Sequence, residues 1–349
     1  MKLGMVGFPQ AGKRTLFKLL TGQDGIPGSL GLARVLDERL DRLVDIYQPA
    51  KITPATMDFA LLPDLDPDTE QSGEALKSLE AVDVVCHLVR AFADGTVFHI
   101  RGEVNPLLDA RSLAEELLLA DMLFVEKRLE RLEKDRSKKR DSRQLAEMEL
   151  LPRLRQHLDG NTPLSGFAFA EEEEKLVASY PFLTRKPLLH VLNVGEDQLA
   201  DASLIESLKS EFAGWNCEWM AVSAKIEEEL TELDEAERRA FLDDLGIERP
   251  TLDRLTQVCY SALGLISFFT VGDDEVRAWT VRLDALAPEA GRAIHTDIEK
   301  GFIRVEVIKY EDLVELGDEQ QVKSAGKLQQ KGRDYVTLDG DIMHFLFKV

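Results

Sequence analysis

Residues 7 to 15, GFPQAGKRT, place two glycines and a lysine at the spacing of the phosphate-binding pattern G-x-x-x-x-G-K-[ST]. The glycines let successive backbone N–H groups turn toward phosphate oxygens, and a following helix N-terminus adds the positive end of its dipole. The lysine reaches the β- and γ-phosphates as a point charge. In the pattern the last residue is a hydroxyl that holds Mg²⁺; here Arg14 stands there, and Thr15 follows one place late. The preceding Leu3, Met5 and Val6 read as an apolar strand, and Leu16, Phe17, Leu19 and Leu20 as a helix, which is the context the loop requires. The candidate phosphate-contacting residues are Gly7, Phe8, Pro9, Gln10, Ala11, Gly12, Lys13, Arg14 and Thr15, with Thr15 the remaining hydroxyl for a metal.

A nucleotide site also needs loops that read the base. "HVLNVGED" ends an apolar run and supplies Asn193, Val194 and Glu196; "AVSAK" supplies Ser223, Ala224 and Lys225 after the next run. Each is a weak signal alone. In this order behind a phosphate loop they form a constellation.

The elements that must position these residues follow from periodicity. Apolar runs at 56–62, 83–92, 187–194 and 217–223, separated by helical patterns and polar turns, predict a mostly parallel sheet in an α/β domain. "DERLDRLVDIY" (37–47) predicts a helix stopped by Pro49. From about Ser112 to Phe182 the rhythm changes. Leu118, Met122, Val125, Leu129 and Leu132 step by 4, 3, 4, 3, and Leu145, Met148, Leu151, Leu154 and Leu158 return, which predicts an antiparallel helical arm. From about Leu265 short strands dominate, with a helix expected over 287–301 and a hairpin-type turn at Asp339-Gly340.

On these residues the chain resembles the YchF or Obg-like ATPases, among the translation-factor-like P-loop NTPases. The family's loop reads GFPNVGKST against GFPQAGKRT here, its base-reading N-x-x-E matches "NVGE", and its serine-alanine-lysine loop matches 223–225. "GEVNP" (102–106), "EVRAWTV", "HTDIEKGFIRVEVI" and "DYVTLDGDIMHFLFKV" extend the likeness over essentially the whole chain. The resemblance implies three parts: a P-loop NTPase domain over 1–111 and 183–264, an inserted helical coiled-coil arm over 112–182, and a β-grasp (TGS) domain over 265–349. It also implies binding of ATP in preference to GTP, slow Mg²⁺-dependent hydrolysis, and contact with the ribosome or RNA. Val194 where guanine loops carry lysine, and the length of Glu196, point the same way on the base. His99 aligns with a histidine proposed to act in the family's hydrolysis, where its imidazole would orient water; a lone loop histidine also commonly serves structure.

Three departures fall on the catalytic machinery. Arg14 replaces the metal-binding hydroxyl, "GQDGIPGSLGLARV" (22–35) is short and contains no threonine, and the D-x-x-G after the "MDFALL" run reads Leu61, Leu62, Pro63, Asp64. Asp58, Asp64, Asp66 and Asp68 lie nearby as substitutes for the lost aspartate, or as an exposed acidic loop. Phosphoryl transfer depends on metal and positioned charge, so losing these together costs orders of magnitude in rate. Arg14 either stands in for the metal against the β-phosphate or lies along the helix surface. Nucleotide binding is therefore expected to be nearly independent of Mg²⁺, with Arg14→Ser restoring the dependence. Two readings stay open: a slow ATP-hydrolysing regulator, and a nucleotide-binding adaptor without turnover.

Net charge is −21 with 44% apolar residues, which excludes bulk disorder and non-specific coating of nucleic acid. Residues 127–143 hold nine Lys or Arg against four acids, a solvated helix face or a docking patch, whereas 265–349 hold eleven against sixteen. The apolar stretches are too short to span a bilayer, the chain enters a strand at once with no signal peptide expected, and Cys86, Cys217 and Cys259 show no metal or disulfide spacing. A cytoplasmic monomer with no membrane partner is the expectation.

Overall fold

The computed structural model describes residues 2–66, 71–134, 141–199, 201–247 and 249–348. Asp68 and the basic triplet Lys138, Lys139 and Arg140 lie outside them. The chain divides into two compact units, one of Met1–Gly31 and Asp58–Leu252, the other of Leu32–Met57 and Asp253–Val349.

Five strands precede the helical arm, β1 (Lys2–Val6), β2 (Leu30–Arg34), β3 (Lys51–Thr53), β4 (Thr56–Leu61) and β5 (Val84–Arg90), and β6 (Leu188–Asn193) and β7 (Cys217–Val222) follow it. All but β3 form one sheet in the order β2-β4-β1-β5-β6-β7, with β4, β1, β5, β6 and β7 mutually parallel. Strands β5 and β6 are buried at every residue, which is why their sequences run apolar without alternation. At their centre His87 and His190 face each other, Nδ1 to Nδ1 3.1 Å, with His190 stacked on Trp219 at 4.0 Å between ring centroids. Burial pushes both imidazoles well below the ordinary histidine value, so the pair is neutral.

Helix α1 (Lys13–Thr21) follows β1, α2 (Glu38–Tyr47) is capped by the Asp37 carboxylate on Arg39 N, and α3 (Gln71–Leu79) follows β4. The arm is α4 (Pro106–Lys134) packed on α5 (Ser142–Asp159). Leu118, Val125 and Leu132 of α4 meet Leu150, Leu151, Leu154 and Leu158 of α5, the seam that the 4-3 spacing implies. Within it Glu147 is fully buried and accepts from Arg128 at 2.9 and 2.6 Å and from Arg143 at 3.4 Å. Part of the basic stretch is thus consumed inside the arm. Asp121, also buried, accepts from Leu183 N, Thr184 N and Thr184 Oγ1 and clasps the returning chain to α4.

The second sheet takes β8 (Leu265–Thr270), β9 (Glu275–Arg282), β10 (Phe302–Ile308), β11 (Gln329–Lys331) and β12 (Ile342–Phe347), in the order β11-β10-β12-β8-β9-β3. Residues 32–57 and 253–264 cluster with the C-terminal strands, not with the phosphate-loop domain: β3 pairs parallel with β9, Arg39 forks onto Asp339 at 2.9 and 3.0 Å, and Tyr47 donates to Glu319 at 2.7 Å. The single helix expected over 287–301 is two, Ala287–Ile294 and Thr296–Gly301. His295 breaks it in extended conformation, and its Nδ1 accepts from Asp297 N. The run 335–338, expected as a strand, contributes only the isolated bridge of Val336 to Leu286.

Candidate functional site

The phosphate-loop residues leave β1 and enter α1 under tight steric limits. A Cβ on Gly7 would lie 2.3 Å from the Leu88 carbonyl oxygen of β5; one on Gly12, at φ +94°, would lie 2.4 Å from Asn193 Nδ2. Both positions therefore require glycine, for close approach at Gly7 and for approach and backbone conformation at Gly12. Phe8 and Ala11 are buried, with the Arg101 guanidinium 5.0 Å from the Phe8 ring centre; Pro9 is half-buried and Gln10 is exposed at φ +63°. No acidic side chain lies in the first turn of α1, so its N-terminal N–H groups keep their positive end for an anion.

Asn193 joins the two halves of the site. Its Nδ2 donates to Ala11 O at 3.0 Å, and its Oδ1 accepts from Ala224 N at 3.0 Å. One buried amide thus ties the phosphate loop to the serine-alanine-lysine loop. Val194 is buried, Glu196 is exposed at the start of the 3-10 turn Glu196–Gln198, Ser223 is buried ahead of the helix Ala224–Glu232, and Lys225 is exposed. All the expected base-loop residues leave the C-terminal ends of β6 and β7, where parallel α/β sheets bind ligands.

The opposite flank has a different content. Lys13 is 5% exposed; its ammonium donates to Gly7 O at 2.5 Å and to Asp64 Oδ1 in a short ion pair. Burial pushes the Lys13 ammonium below its ordinary value, while the Asp64 charge acts to raise it. Asp64 is fixed by its neighbours: Leu62 N donates to Met5 O and Leu65 N to Gly7 O, both at 3.0 Å, and both leucines are buried. Leu61, at the place of the metal-organising aspartate, is itself buried. The short segment after α1 is bonded to it, Gly28 N to Leu61 O at 2.7 Å and Leu61 N to Ser29 O at 2.9 Å. Gly25 lies close enough to Phe17 that a Cβ would sit 2.7 Å from its ring. Arg14 is exposed in the first turn of α1, and Thr15 is half-buried.

The donor set does not fit Mg²⁺. An arginine and a buried leucine occupy the two protein-ligand positions, and among the described residues no group of three or more His, Cys, Asp or Glu could hold a metal ion. His99 is buried as well. Its Nε2 lies 3.1 Å from Asp109 Oδ2 and its Nδ1 accepts from Arg101 N, so the ring has no nitrogen left to orient water.

The sheet order, the glycine loop between β1 and α1, and the base loops after β6 and β7 define a P-loop nucleotide-binding fold of the GTPase type. The YchF-GTPase_C family model, described as a protein of unknown function (DUF933), matches residues 265–348. The chain is 39% identical to the ribosome-binding ATPase YchF of Bacillus subtilis over 99% of each chain, and 34% identical to Obg-like ATPase 1 of Caenorhabditis elegans over 99% of this chain and 92% of that one. The solved Schizosaccharomyces pombe YchF GTPase superposes with a TM-score of 0.86 at 30% identity, covering 99% of this chain and 97% of that chain. The chain belongs to the YchF family.

The acid on Lys13 is the feature of this loop that the linear motif does not show. Its signal was present as an aspartate in place of the D-x-x-G glycine, but nothing in the linear pattern says that the carboxylate turns back onto the loop lysine.

Proposed function

We propose that this protein binds an adenine nucleotide through Gly7–Thr15, Asn193, Glu196 and the 223–225 loop, associates with ribosomes as its relatives' names describe, and does not turn the nucleotide over at an appreciable rate. The adaptor reading is preferred to the slow ATPase on one observation: Asp64 holds Lys13, beside a buried Leu61 where an aspartate would organise the metal. Electrostatic stabilisation of the transferred phosphoryl group is the main term in such catalysis, and here the loop cation is already neutralised. Buried Val194 and exposed Glu196 support adenine over guanine, because the lysine that flanks guanine in ordinary GTPases is absent.

The test is phosphate release from ATP and GTP with excess full-length protein, with and without ribosomes, alongside ribosome co-sedimentation. The expected result is co-sedimentation without release above the no-protein rate. Ribosome-stimulated release would restore the ATPase reading.

A further inference from the structure

The sheet order gives the cleft a direction. The base loops follow β6 and β7 on one side of Gly7–Lys13, and the loop carrying Asp64 follows β4 on the other. A nucleotide with its base near Asn193 and its phosphates over the glycine loop runs its terminal phosphate toward Asp64. Lys13 offers three donors. Gly7 O takes one and the Asp64 carboxylate, on the terminal-phosphate side, takes a second.

We propose that Asp64 is a built-in anion occupying the terminal-phosphate position, and that it makes the site selective for nucleoside diphosphates over triphosphates. This rests on the nucleotide-binding reading above and specifies its ligand. Asp64 cannot withdraw by a small shift of its backbone, because Leu62 and Leu65 are bonded to β1 on either side of it and are buried. Its side chain is 34% exposed, so a rotamer change toward solvent is open to it, at the loss of the Lys13 bond. A γ-phosphate must force that change or accept a like charge beside it without a metal to neutralise either. A diphosphate ends one group earlier and leaves the ion pair intact. The bound state is then the product-like one, whether or not a triphosphate was ever cleaved there.

The experiment is calorimetric titration of the full chain with ADP, ATP and β,γ-imido-ATP, and with GDP and GTP, all in EDTA, for wild type, Asp64→Asn and Asp64→Gly. Wild type should bind the diphosphate about tenfold or more tightly than either triphosphate. In Asp64→Asn the amide oxygen still accepts from Lys13 but carries no charge, and the ratio should fall to about one through a gain for triphosphates. Asp64→Gly should carry the change further. Equal or tighter triphosphate binding by wild type, or an unchanged ratio in both variants, overturns the proposal while leaving nucleotide binding in place. If none of the five nucleotides binds any variant, the nucleotide-binding reading itself is wrong.

Discussion

At the base end of the cleft, neutral hydrogen bonds from one buried amide hold Ala11 and Ala224 together. At the phosphate end a charge pair does the holding, between a buried ammonium and a carboxylate one-third exposed. A neutral cross-link of this kind positions the loops on either side of it, because both groups of the amide are already paired. On the proposed function the charge pair is a placeholder, because a bound phosphate would compete for the same ammonium. The base end should therefore behave alike with and without ligand, and the phosphate end should not.

The largest expected effect breaks the base end. Asn193→Ala removes both bonds and leaves Ala11 O and Ala224 N unpaired, so nucleotide affinity should fall about 30- to 100-fold. Titration calorimetry reads it, and a change below about threefold would mean the loops hold their places without the amide.

Next is acid. His87 and His190 lie between the two ends, and their folded values are depressed relative to the unfolded chain. The unfolded state then binds more protons below the ordinary histidine value, so stability is full above it and falls as pH drops. The loss should be on the order of 2 kcal/mol per histidine between pH 7 and pH 5. Denaturant unfolding of the double variant His87→Leu, His190→Leu should show a flatter acid limb; an unchanged slope would locate acid lability elsewhere.

The smallest effect is Arg14→Ser. Sequence alone suggested that it would restore Mg²⁺ dependence, but the structure shows Arg14 exposed and Leu61 and Asp64 still in the way. Affinity should change by less than about threefold, with EDTA making no difference. A tenfold loss in EDTA would return the arginine to the centre of the site.

The local signals were legible where one residue's type decides its neighbourhood. Gly7 and Gly12 mark the loop, Asp37 starts α2, and the 4-3 leucine spacing marks the arm, because each reports a steric or capping rule that acts within a few residues. What was hidden depends on distant partners. The three residues of β3 carry no sign that their ladder is with Glu275–Arg277, and "DERLDRLVDIY" does not reveal that Arg39 reaches Asp339. His87 and His190 sat unnoticed in apolar runs, since only strand register makes them a pair.

The placement of β3 bears on how such a protein can be inherited. The family model spans 265–348, as if the C-terminal part were one cassette, yet its sheet ends on a strand encoded at 51–53 and its turn at Asp339 is gripped from Arg39. A recombination that moved only the C-terminal segment would carry off β9 with its outer row of N–H and C=O groups bare, an invitation to pair with another chain. The compact unit that holds this sheet is drawn from two separated stretches, 32–57 and 253–349, so substitutions in one should track those in the other. Swaps between relatives that respect only the later boundary should yield sticky, poorly folded hybrids.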